Sequence, residues 1–137
     1  MRAQAAFEYM LIVIIALAFM VPAWTYITSV KTEASEELAL SYAKSSVDRL
    51  ASTADLIYSQ GPPAKVKVHV YIPDGVEGYN FTNKTVALFV RYRNTVTPVY
   101  ADSKASLNGT LPLVEGNYWM QVEAVENDNY DVFVQAV

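Results

Sequence analysis

The chain has no cysteine and a single histidine, His69. The first absence rules out disulfides, thiolate metal sites and a cysteine nucleophile; the second leaves no partner for an imidazole metal cluster. Positive charge is also short. Ten Lys and Arg stand against fourteen Asp and Glu, giving a formal net charge of −4 and a pI near 4.9. Nucleic acid is therefore not an expected partner, because binding it needs a basic face that releases counterions from phosphate. The sequence shows no nucleophile–base pair, phosphate loop or metal-ligand spacing, so neither an enzyme nor a cofactor is expected.

Glycine is missing before Gly61, and Pro22 is the only proline before Pro62. A stretch free of breakers and rich in Ala, Leu, Ile, Met and Glu predicts one long helix over residues 4–60. Gly61-Pro62-Pro63 then ends it, with glycine suited to the C-cap and proline unable to continue the turn. At 1.5 Å per residue the helix would be roughly 85 Å long, more than a domain of this size can bury.

Charge is scarce in the first half of that helix. Arg2 and Glu8 are the only charged residues before Lys31. The segment 4–30 contains the apolar run Met10 to Val21 and is long enough to cross a bilayer, which takes about 20 such residues. Arg2 before it and Glu33, Glu36 and Glu37 after it put the N-terminus in the cytoplasm and the remainder outside. Trp24 and Tyr26 lie where an outer aromatic belt would fall, and Lys31 can snorkel. The continuation, 31–60, is amphipathic. Leu40, Ala43, Val47, Leu50, Ala54 and Ile57 recur at spacings of three and four, with Lys44, Asp48, Arg49 and Asp55 largely off the stripe.

After Pro63 the hydrophobic period becomes two. Val66, Val68, Val70 and Ile72 alternate with Lys65, Lys67, His69 and Tyr71, which predicts a half-buried strand ending at Pro73-Asp74-Gly75. Lys84 to Arg93 reads as a second, with Val86, Leu88, Val90 and Tyr92 on one face. Asn108-Gly109 signals a hairpin. Tyr118 to Val125 and Tyr130 to Val137 form an alternating pair across the turn 126–129. Five to seven short strands over 64–137 predict a small antiparallel β-sandwich or barrel, and the whole chain an α+β protein.

The extreme N-terminus is more specific. A secretory signal places its cleavage site after the apolar core, whereas here the processing-like features precede it, in Met1-Arg2-Ala3-Gln4-Ala5-Ala6-Phe7-Glu8-Tyr9. This segment resembles the class III signal peptide of archaeal type IV pilin-like proteins, in which a basic and a small residue precede a Gln-x-Ser-x-Glu-Tyr/Phe core. Ala3 stands where the family more usually has glycine, and Ala6 where the core has serine. The resemblance implies a leader of residues 1–3, a prepilin peptidase that cuts between Ala3 and Gln4, and an apolar helix retained on the mature protein. It further implies assembly with copies of itself into a helical surface filament, driven by an assembly platform and ATPase.

Individual residues carry two readings each. Glu8 near a helix N-terminus gains about 0.3–1 kcal/mol from the helix dipole alone and can sit among headgroups. Alternatively, cleavage frees an amine at Gln4 of one subunit that pairs with Glu8 of a neighbour inside an apolar core, where an isolated charge would be costly. Pro22 is a kink of the sort membrane helices tolerate, or the point where a pilin rod bends or unwinds in the fibre. Asn80-Phe-Thr82, Asn83-Lys-Thr85 and Asn108-Gly-Thr110 fit the N-glycosylation pattern, with Asn108 also suited to a turn. The acidic turn 126–131 lacks the glycine and terminal glutamate of an EF-hand and reads as solvated.

The expected function is that of a type IV pilus subunit. It begins as a single-span membrane protein in contact with lipid and ends in an extracellular adhesive filament, with glycosylated β domains facing solvent. The alternative is a monomeric membrane-anchored binding module on a helical stalk.

Overall fold

The computed structural model describes residues 1–137, and the chain divides into two compact units, Met1–Ser35 and Glu36–Val137. Helix α1 runs from Arg2 to Gln60 with Pro22 inside it. Its end is a glycine C-cap: Gly61 takes φ of 74°, a left-handed value open to a residue without Cβ, and its N–H donates to the Ile57 carbonyl at 3.0 Å. Seven strands follow. They are β1 (Lys65–Ile72), β2 (Val76–Thr82), β3 (Thr85–Tyr92), β4 (Thr95–Asp102), β5 (Leu107–Gly109), β6 (Gly116–Ala124) and β7 (Val132–Ala136).

The strands make two sheets, one in the order β1-β6-β7-β5 and one in the order β2-β3-β4. The α+β class is as the sequence predicts, but the sheets do not close into a barrel. Within the second unit the helix occupies the space between two sheet edges, β1 and β4. Ser46 Oγ donates to the Tyr71 carbonyl on β1 at 2.5 Å, while Lys44 Nζ donates to the Tyr100 carbonyl on β4 at 2.9 Å. Pro98 sits in the middle of β4, where a missing N–H costs nothing on the outer edge.

One core joins all three layers. From the helix it takes Ala43, Val47, Leu50, Ala51, Ala54 and Ile57, all buried, with Leu40 half-buried beside them. Val70, Met120, Val122 and Val134 enter from the four-stranded sheet, and Val86, Leu88 and Val90 from the other. Each large side chain fully buried in this way contributes about 1.5–3 kcal/mol, so the helical stripe is a structural part of the domain.

Two expectations about the strands need correction. The sheet is mixed, because β5 runs parallel to β7, with Leu107 opposite Val132 and Gly109 opposite Val134. Asn108-Gly109 is accordingly part of a strand and forms no hairpin. The physical reason is a close backbone approach: a Cβ on Gly109 would lie 1.9 Å from the Val134 carbonyl oxygen. A tight turn with two successive positive φ values lies elsewhere, at Arg93 (φ 47°) and Asn94 (φ 60°) between β3 and β4. Two successive positive φ values match the type I′ geometry that suits the twist of a hairpin.

Candidate functional site

The apolar segment has the barest surface in the protein. Every residue from Met1 to Ser35 is exposed. Phe19 is 74% exposed, Trp24 69% and Met20 66%, although these side chains favour burial. The helix is long and apolar enough to cross a membrane. Ala3, Gln4 and Glu8 lie in its first turns, exposed.

The helix passes through Pro22 without interruption. Proline has no N–H to give to the preceding turn, and just beyond it the hydroxyls bond back to the helix. Thr25 donates to the Pro22 carbonyl at 2.9 Å, Thr28 to those of Trp24 and Thr25, Ser29 to that of Tyr26, and Thr32 to that of Thr28. Such bonds satisfy the hydroxyl within its own helix, so these polar residues can enter a dry environment without exposing an unpaired donor. In the sequence this device shows only as Thr25, Thr28, Ser29 and Thr32 at spacings of three and four, a signal that hydrophobic periodicity passes over.

The three sequons lie on the β domain. Asn80 is on β2 and exposed, its side chain on the outer face. Asn83 lies in the turn to β3 with φ of 50°. Its Oδ1 accepts from Ser106 Oγ at 2.9 Å and its carbonyl accepts from Leu107 N–H at 2.5 Å. Asn108 is exposed on β5, and its Oδ1 accepts from Gly109 N–H at 2.8 Å. The fold thus brings Asn83 and Asn108 to the same neighbourhood through Leu107.

Further features went unread in the sequence. Asp55, which the periodicity leaves off the stripe, accepts from Ser103 Oγ at 2.6 Å and Lys104 N–H at 2.7 Å, clipping the 103–105 loop to the helix. Tyr71 donates to Glu115 Oε1 at 2.8 Å. That hydrogen bond raises the Tyr71 pKa above its ordinary 10.0, with smaller contributions from desolvation and the nearby negative charge. Between α1 and β1 an open groove of about 420 Å³ is lined by Tyr42, Ser45, Ser46, Arg49, His69 and Tyr71. His69 itself packs against Trp119 of the neighbouring strand, ring centroids 5.2 Å apart and planes inclined at 60°. Only long-range pairing creates these contacts. In the acidic turn, Asp131 Oδ2 accepts from Ser106 N–H at 3.0 Å.

No protein-family profile, curated protein or solved structure matches the chain.

Proposed function

We propose that this chain is a filament subunit of the archaeal type IV pilin kind. It is inserted in the membrane by its N-terminal helix, cut between Ala3 and Gln4 by a prepilin peptidase, and moved by an assembly platform and ATPase into a bundle of like helices. The observation that supports this reading most is the uncovered apolar segment: no side chain from Met1 to Ser35 is buried within the chain. An apolar surface of that extent calls for lipid or other apolar helices as cover. Passing from lipid to a helix bundle exchanges one dry environment for another, so packing and charge pairing must direct it. The hydroxyls that bond back to the helix suit both environments.

Glu8 supplies the pairing. With the new Gln4 amine of a neighbour it forms an ion pair that sets axial register, whereas either charge alone would cost several kcal/mol among apolar helices. The test is Glu8→Gln expressed in place of the native protein, scored by counting surface filaments that contain it. The mutant is expected to insert and be processed at Ala3 yet stay in the membrane. Normal mutant filaments would remove Glu8 from the mechanism.

The second reading is the monomeric anchored binding module, and the open groove between α1 and β1 is the observation that favours it. In a monomer, Glu8→Gln is nearly silent, because a neutral side chain near the membrane interface is easier to accommodate than a charge. The same experiment therefore separates the two.

A further inference from the structure

The outer face of the three-stranded sheet carries an apolar patch. Strand pairing sets its rows: Asn80, Ala87 and Tyr100 form one, and Gly78, Phe89 and Pro98 the next. Tyr100 is 59% exposed, Val96 beyond it 44%, and Phe89 lies outside the buried core. Ala87 and Gly78 leave low ground beside the two rings. The Arg91–Glu77 ion pair borders the patch at one end, and the hydroxyl of Thr85, donated to Asp102 Oδ1 at 2.7 Å, borders the other.

The sequons differ in how free they are. Asn83 is held in a positive-φ turn with its side chain bonded to Ser106, and the hydroxyl of its Thr85 is taken by Asp102. Asn108 is bonded to Gly109 N–H on a strand whose close approach to Val134 leaves no space for a Cβ. Asn80 and Thr82, by contrast, are both exposed residues of β2 and take no part in the side-chain hydrogen bonds that hold Asn83, Thr85 and Asn108. Asn80 also stands in the same row as Tyr100, two strand spacings (about 9.6 Å) away, with only Ala87 between them.

We propose that Asn80 is the N-glycosylation site of this chain and that the first sugars of its glycan lie over this sheet face, against Tyr100 and Phe89. The donor is a sugar carried on a phosphate leaving group, delivered by a transferase. The Asn80 Nδ2–anomeric carbon bond forms as the anomeric C–O bond breaks, the phosphate leaves with the bonding electrons, and the amide proton passes to base. The C–H faces of sugar rings suit aromatic surfaces, while their hydroxyls keep the outside of the patch wet. The inference rests on the proposed exterior placement of the β domain.

The test uses protein isolated from the cells that make it, with fragmentation mass spectrometry that localises sugar among Asn80, Asn83 and Asn108. Sugar is expected on Asn80, and Thr82→Val should abolish it. A bare Asn80, whether or not another sequon is modified, overturns the proposal. For the sheet contact, Asn80→Gln should lower the Tm by about 2–5 °C, and that drop should shrink in a Tyr100→Ala background. An equal drop in both backgrounds overturns the contact. Filament assembly is scored separately, so bare Asn80 in normal fibres defeats this inference and leaves the filament reading standing.

Discussion

At Gly109 a single added methyl group would meet the backbone of β7, its Cβ 1.9 Å from the Val134 oxygen. That collision is with main chain and no rotamer relieves it. Gly109→Ala should therefore destabilise the domain by about 1–3 kcal/mol or more, read as a shifted denaturant midpoint. The reason for this glycine is not visible in the Asn-Gly pair itself, which signals a hairpin equally well; only the parallel partner reveals it. Tyr71 illustrates the same point. Its phenol donates to Glu115, forty-four residues along the chain, and its pKa is raised above 10.0. The folded state thus favours the neutral phenol, a preference present below pH 10 and lost as pH rises through the raised value. In an absorbance titration at high pH, Tyr71→Phe should remove a late-ionising component. Glu115→Gln should move that component back toward 10.0. An unchanged titration in Glu115→Gln would discount the hydrogen bond as the cause.

The elements were more legible than the contacts between them. The helix, its glycine stop and its buried stripe follow from periodicity, because burial on one face of a helix imposes spacings of three and four on the residues that make it. Strands β1, β3, β6 and β7 were legible for the corresponding reason, a period of two. Strands β2 and β4 lack that clear period. Gly78 disturbs the alternation of β2 where its pairing register shifts, and Pro98 within β4 is a residue that argues against a strand in the sequence. The stripe gives a prediction at this scale. A fragment of residues 65–137 should lose cooperative melting, or melt well below a fragment of residues 36–137, since it exposes the core that Val47, Leu50 and Ile57 cover. Within the whole chain, Leu50→Ala should cost about 2–5 kcal/mol. Equal Tm values for the two fragments would mean that the stripe is dispensable to the domain.

At the scale of the whole molecule, the division of labour follows the distribution of charge. The segment 1–30 carries only Arg2 and Glu8, and the structure leaves all of it exposed. The remaining charged residues lie in the amphipathic helix and the β domain, whose core is complete without that segment. What covers an apolar helix is a question about partners, so the chain's own packing does not answer it; in the filament account the cover is first lipid and then copies of the same helix. In the proposed filament, cleavage before Gln4 and the Glu8 pairing would both serve that exchange. The most direct measurement is peptide identification and imaging of fibres sheared from the surface of the cells that make this protein. The account predicts fibres containing this chain, its N-terminus at Gln4 and its apolar helices bundled along the fibre axis. Protein that still begins at Met1 and stays entirely in the membrane fraction, in cells with an active prepilin peptidase, would contradict it.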